Sequence, residues 1–166
     1  MPEAPGVGTT PVNARDFIDI GLEAGRKVMA VYADMTIAEA VILRALGMRW
    51  PGVPIVAEEE ASAGRIPSAS ESFFLVDPLD GTREFLARNG EFTVNIAFVQ
   101  QGRPAAGLVY APAIGQIFVG DAGGAWRAEV RDDVPAELAP IRVRPAPSAL
   151  TVVASRENCG AETHRW

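Results

Sequence analysis

The chain has 166 residues and a net charge of −6, with 48% hydrophobic and 22% charged residues. This length and composition predict one globular domain with a hydrophobic core, and they exclude a disordered chain. The acidic balance disfavours nucleic-acid binding, which requires clustered positive charge. A small anionic substrate is compatible with this charge if metal ions supply positive charge locally.

Cysteine and histidine each occur once, as Cys159 and His164. A disulfide framework is therefore excluded, and a cysteine-built zinc site or a nucleophilic site with a histidine base has little support. No positively charged start leads into an apolar signal segment, and no apolar run reaches the length of a membrane span. We expect a cytoplasmic protein without a transmembrane segment, with peripheral attachment to the inner face of a bacterial membrane as a variant of that placement.

Apolar residues at helical spacing predict two helices near the start of the chain. Asn13 can cap a first helix that extends to about Val31. Its expected apolar face is Phe17, Ile20, Gly21, Ala24 and Val28. A second helix is predicted over residues 36–46, with an inward face of Ile37, Ala40, Val41 and Ala45.

Strand-like patterns follow the two helices. The segments predicted as strands are 54–57, 73–76, 92–100, 106–111, 116–120, 125–126, 141–144 and 150–154. Residues 128–140 are acidic and contain proline, which predicts a surface loop. Two helices followed by several mostly antiparallel strands predict an α+β fold, with the helices packed on the sheet.

The strongest chemical signal is the sequence DPLDGT at residues 77–82, which follows the apolar strand 73–76. Asp77 and Asp80 can converge across a turn, and the carbonyl of Leu79 can join them. Glu58 ends another strand, and if the two strands are neighbours the three carboxylates could hold two magnesium ions roughly 4 Å apart. Such a pair of ions activates water and stabilises a leaving oxygen in phosphate ester hydrolysis.

Gly81 and Thr82 open a short helix whose backbone N–H groups can bind a phosphate, and the Thr82 hydroxyl can orient the attacking water. Simpler interpretations exist for each motif. Asp, Pro and Gly are ordinary turn residues, Asp80 or Thr82 can be only a helix cap, and residues 58–60 can be a solvated acidic run. The two motifs together, each closing an apolar strand, favour metal-assisted phosphate ester hydrolysis.

The motif DPLDGT, with Ala57, Glu58 and Glu59 upstream, resembles the inositol monophosphatase superfamily of Mg²⁺-dependent, lithium-sensitive phosphatases. Within it, Leu79 and the sequence NGEFTVNI at residues 89–96 are similar to the bacterial 3'(2'),5'-bisphosphate nucleotidases. These enzymes remove the 3'-phosphate of adenosine 3',5'-bisphosphate, a by-product of sulfate assimilation, to give AMP.

The resemblance implies roles for individual residues. The implied metal ligands are Glu58, Asp77, the Leu79 carbonyl and Asp80, with Asp80 bridging two ions. The implied substrate contacts are Glu58, Leu79, Asp80, Gly81 and Thr82. Thr82 and Asp80 are the implied catalytic residues, with Thr82 helping to activate the water.

The sequence departs from the family pattern in two places. The family has a loop between the first two helices, with an aspartate that pairs with the threonine of the motif, whereas here residues 32–36, including Asp34, run almost directly into the second helix. The family also has a second α/β half. We therefore expect a flexible lead-in at residues 1–12, the N-terminal half of an αβαβα sandwich at 13–156, and the start of the C-terminal half at 157–166.

Two alternatives to the nucleotidase remain open. One is an inositol monophosphatase or fructose-1,6-bisphosphatase-like activity with the same chemistry. The other is a non-catalytic half-domain that binds metal or phosphate. Exposed apolar surface on such a half-domain favours association, so a homodimer is the protein partner to be tested.

Overall fold

The computed structural model of the protein describes residues 11–30, 35–58 and 72–149. A 3-10 helix, Ala14–Phe17, leads into helices α1 (Ile18–Ala30) and α2 (Met35–Arg49). The strands are β1 (Ile55–Ala57), β2 (Ser72–Asp80), β3 (Thr93–Gln100), β4 (Arg103–Ala111), β5 (Gln116–Asp121), β6 (Gly124–Arg131), β7 (Val134–Pro135) and β8 (Ala139–Ile141). A short helix, α3 (Thr82–Leu86), follows β2, and a 3-10 turn (Pro112–Ile114) links β4 to β5.

The first helical segment begins as the sequence predicts. The Asn13 side chain accepts a hydrogen bond from the Arg15 N–H at 2.9 Å, and the Asn13 N–H donates to the Asp16 carboxylate at 3.2 Å. This reciprocal cap satisfies backbone donors that have no partner within the helix. The predicted apolar face is confirmed, since its five members are buried: Phe17, Ile20, Gly21, Ala24 and Val28.

Helix α2 buries a different face from the predicted one. Ala38, Ile42 and Leu46 are buried, whereas Ile37 and Ala40 are exposed. The remaining two predicted inward residues, Val41 and Ala45, are half-buried. Apolar residues lie on all sides of this helix, so the sequence pattern alone does not select the buried face.

One sheet forms the body of the protein, with the strands in the order β1 to β7 and β8 paired to β6. β1 is parallel to β2, and every other pairing between the described strands is antiparallel. Helices α1 and α2 pack on one face, α1 against β3 and β4 and α2 against β1 and β2. The predicted α+β fold, two helices on a mostly antiparallel sheet, is therefore confirmed.

The prediction of a surface loop at residues 128–140 is wrong, because most of this segment forms strands. β6 continues to Arg131 and turns back into β7, and β8 also pairs with β6. Asp132 and Asp133 both have positive φ angles, 50° and 60°. Two successive residues of this kind form a hairpin turn whose twist matches the flanking strands, and aspartate tolerates the conformation.

Other boundaries differ by smaller amounts. The strand predicted at 141–144 is wrong except at Ile141, which is the last residue of β8, because residues 142–144 have no regular secondary structure. The strand predicted at 150–154 lies outside the described residues, as do Cys159 and His164. Within the part of the chain that is described, no helix is both long and apolar enough to span a bilayer.

Candidate functional site

The acidic segment is a bulge within a strand rather than a turn after one, so this part of the sequence prediction is wrong. β2 continues to Asp80, and Asp77 pairs with Asn95 while Asp80 pairs with Thr93. Three steps along β2 thus match two steps along β3, which is one extra residue on β2. Pro78 lies inside this bulge, where the ladder does not require its missing N–H.

The bulge determines which way the two aspartates point. Residues three apart on a regular strand face opposite sides of a sheet. The extra residue cancels this offset, because Asn95 and Thr93 lie two residues apart and share a face. Val94 and Ile96, which alternate with Thr93 and Asn95 along β3, are buried under the helices. Thr93 and Asn95 therefore face the other side of the sheet, and so do their partners Asp80 and Asp77.

The parallel pairing of β1 with β2 brings Glu58 to Asp77. Ala57 pairs with Val76, so Glu58 and Asp77 are the next residues at the same edge. The Glu58 carboxyl lies near enough to the Asp77 carboxyl to affect its pKa. Desolvation by burial, the charge of Glu58 and the charge of Asp80 raise the pKa of Asp77 from 3.8 to about 6, although the Leu79 N–H at 3.1 Å opposes the shift.

Asp80 accepts a hydrogen bond from a side chain of β3. The Asn95 side-chain N–H donates to Asp80 Oδ2 at 3.3 Å. The other end of the same amide, Asn95 Oδ1, is buried and has no hydrogen-bond partner. Asn95 was not among the predicted site residues, although it belongs to the sequence NGEFTVNI. The sequence feature that could have identified Asn95 is its position: it is a polar amide between the apolar residues Val94 and Ile96, at an outward-facing position of the strand.

The backbone after Asp80 turns sharply into α3. Gly81 is the N-cap residue with a φ of +92°, and no side chain caps this helix. A Cβ atom at position 81 would lie 2.8 Å from the Glu91 carbonyl oxygen, so the close approach of this segment requires glycine. The Thr82 hydroxyl donates to the Leu79 carbonyl oxygen at 3.4 Å. A cavity of about 450 Å³ opens here, lined by residues 80–84 and 91–93.

The donor set suits a hard divalent cation. Glu58 and Asp77 are neighbours at one edge of the sheet, Asp80 adds a third carboxylate, and Asn95, opposite Asp77, has an unpartnered amide oxygen. Carboxylate and carbonyl oxygens are the ligands that Mg²⁺ prefers. Among the described residues, however, no three carboxylate, histidine or cysteine side chains are already arranged around one metal position.

The structure therefore brings together most of the residues singled out in the sequence. Glu58 reaches Asp77, Asp80 shares their face of the sheet, and Gly81 and Thr82 follow directly. The short helix predicted to open at these last two residues is confirmed, with Gly81 as its cap. Asp34, Glu59 and Glu60 lie outside the described residues.

Comparison with known proteins places this geometry in a family. The inositol monophosphatase family model matches residues 25–165. The 3'(2'),5'-bisphosphate nucleotidase CysQ of Escherichia coli K12 is 41% identical over 131 residues, which cover 78% of this chain and 50% of that protein. The enzyme of the same name from Salmonella typhimurium is 46% identical over 92 residues, covering 55% of this chain and 37% of that protein.

Solved structures agree with the sequence relatives. CysQ from Bacteroides thetaiotaomicron, described as a bacterial member of the inositol monophosphatase family, matches with a TM-score of 0.69 and 29% identity, covering 92% of this chain and 66% of that one. Inositol monophosphatase from Anabaena matches with a TM-score of 0.63 and 30% identity over 72% of this chain and 49% of that one. The chain spans about half the length of the curated relatives it matches. It belongs to the inositol monophosphatase family.

Proposed function

We propose that this chain is part of a Mg²⁺-dependent phosphatase that removes the 3'-phosphate of adenosine 3',5'-bisphosphate. Water adds to the 3'-phosphorus, the bond between phosphorus and the ribose 3'-oxygen breaks, and AMP and inorganic phosphate leave. The substrate assignment rests on relatives named 3'(2'),5'-bisphosphate nucleotidase at 41% and 46% identity. The product would return to the adenine nucleotide pool of the cytoplasm.

The observation that carries the proposal is the proximity of Glu58, directly after β1, to Asp77 on the neighbouring parallel strand β2, with Asp80 on the same face. Burial raises the pKa of Asp77 most, and the negative charges of Glu58 and Asp80 raise it further, because ionised carboxylates near one another repel. A bound cation would relieve that repulsion. The adjoining cavity of about 450 Å³ falls within the range of roughly 300–1,000 Å³ that is usual for small-molecule sites.

Each residue then has a proposed task. Glu58, Asp77, the Leu79 carbonyl and Asp80 would hold magnesium, which when bound polarises the phosphate and makes a water molecule more acidic. The backbone of Gly81 and Thr82 would contact the substrate phosphate, together with Glu58, Leu79 and Asp80 acting through the metal. The Thr82 hydroxyl would orient the attacking water, with Asp80 as its acidic neighbour.

The test measures phosphate release from three substrates in Mg²⁺ buffer: adenosine 3',5'-bisphosphate, inositol monophosphate and fructose 1,6-bisphosphate. We expect the first to be fastest. Asp80→Asn should lower the rate about 100-fold or more, because it removes a charge on which several kcal/mol of transition-state stabilisation depends. Asp19→Asn, which changes an exposed aspartate on α1, is the matched control and should leave the rate unchanged.

Other outcomes would favour the alternatives. A preference for inositol monophosphate would contradict the nucleotide assignment and leave the phosphatase chemistry intact. The partial coverage of the relatives makes a second result informative. If Mg²⁺ binds, Asp80→Asn abolishes that binding and no substrate is hydrolysed, the chain by itself is a non-catalytic metal-binding unit.

A further inference from the structure

Asn95 connects the two aspartates of the candidate site across the sheet. It lies directly opposite Asp77 in the β2–β3 ladder and donates its side-chain N–H to Asp80 Oδ2 at 3.3 Å. The one-residue bulge allows this arrangement, because it places Asp77 and Asp80 on the face from which Asn95 projects.

The orientation of this amide is fixed by chemistry. An ionised carboxylate only accepts hydrogen bonds, so the NH₂ end of Asn95 must face Asp80. Its Oδ1 atom is consequently left buried and without a partner. A buried acceptor without a partner costs about 1–3 kcal/mol, so an asparagine at this position is a local loss of stability. Such a loss at a cluster of acidic residues indicates that the side chain serves the site.

We propose that Asn95 is a positioning residue that orients the Asp80 carboxylate for cation binding. Its N–H occupies Oδ2 and leaves the remaining lone pairs of the Asp80 carboxylate for the cation. Being neutral, the amide adds no further charge to the cluster. This inference rests on the proposed function, because it assigns Asn95 to the same metal-binding residues.

The decisive variant is Asn95→Leu, which has nearly the same size but no donor. Residues that orient metal ligands change metal affinity by about 10–100-fold when replaced. We expect the Mg²⁺ dissociation constant, measured by isothermal titration calorimetry, to rise about 10-fold or more. The unfolding temperature in EDTA should stay unchanged or rise, because the variant also removes a buried acceptor without a partner. A purely structural role for Asn95 predicts the opposite pattern.

A matched control and a double variant complete the experiment. Gln100→Ala removes an exposed amide from the far end of the same strand and should leave the Mg²⁺ dissociation constant unchanged. If Asn95 acts through Asp80, adding Asn95→Leu to Asp80→Asn should cause no further loss of affinity. Equal Mg²⁺ affinity in the wild type and Asn95→Leu would overturn this inference alone. A wild-type protein that binds no Mg²⁺ would overturn the proposed function and the inference with it.

Discussion

Asp77 is the residue at which the electrostatic cost of the candidate site is concentrated. It is half-buried, and it lies near the charges of Glu58 and Asp80, so burial and two neighbouring charges favour its protonated form. Its pKa of about 6 exceeds the value of 3.8 that an unperturbed aspartate would have. The folded state therefore holds a proton at Asp77 over a pH range in which the unfolded chain has released it.

This shift predicts the direction of the pH dependence of stability. The contribution of Asp77 is fully present below about pH 4 and is lost as the pH rises through its folded pKa of about 6. In EDTA, the free energy of unfolding of the wild type should therefore fall between pH 4.5 and pH 7.5 relative to that of Asp77→Asn. The full shift would correspond to about 3 kcal/mol, which partial exposure of Asp77 reduces to about 1 kcal/mol.

Urea unfolding of both proteins at the two pH values measures the difference. Asp77→Asn is its own control for the other titrating groups, since only the carboxyl at position 77 has changed. Profiles that run parallel across this pH range would show that the raised pKa does not exist. Saturating Mg²⁺ should stabilise the wild type at pH 7.5 more than it stabilises Asp77→Asn, because the cation supplies the charge that the proton supplied.

At the level of elements, α1 packs against β4 through two of its glycines. A Cβ atom at Gly25 would lie 2.8 Å from Tyr110 Cδ1, and one at Gly21 would lie 2.9 Å from Leu108 Cδ2. Real Cβ atoms do not approach other atoms this closely. These glycines leave room for the side chains of Leu108 and Tyr110 beneath α1, although glycine is a poor helix former.

A pair of identical substitutions separates packing from helix propensity. Gly25→Ala should destabilise the protein by about 1–3 kcal/mol, because the added methyl overpacks the contact with Tyr110. Gly47→Ala in α2 meets nothing within 4 Å and should stabilise it by about 0.5–1 kcal/mol through propensity alone. Urea unfolding checks both values. Equal effects of the two substitutions would mean that α1 does not sit this close to β4.

The elements also show what the sequence could and could not predict. The cap at Asn13 and the α1 face were predictable, because local chemistry and a clear period agree there. The buried face of α2 was not, since its selection depends on the sheet beneath it. The bulge at residues 78–79 is a difference in register between β2 and β3, so the sequence of β2 alone is equally typical of a turn. Asn95 was missed for the same reason, as its importance lies in its cross-strand partners.

At the scale of the whole molecule, the two faces of the sheet differ in how they are covered. The face under α1 and α2 is closed, and Leu108 on β4 is 2% exposed. On the opposite face, Leu75, Val109 and Phe118 are 41%, 43% and 36% exposed. Val109 and Phe118 are direct cross-strand partners. The candidate site lies on this second face, so anything that covers it in solution also approaches Glu58, Asp77 and Asp80.

Substitutions at two adjacent residues of β4 test whether that second face of the sheet is covered in solution. Leu108→Ala should cost about 2–5 kcal/mol, because it leaves a cavity in the closed core. Val109→Ala should cost about 0.5 kcal/mol or less if its side chain stays in water, since exposed substitutions change stability little. Urea unfolding at several protein concentrations gives both values. A cost for Val109→Ala above about 2 kcal/mol that grows with protein concentration would show that a second copy buries this face in a homodimer, since only association makes stability depend on concentration.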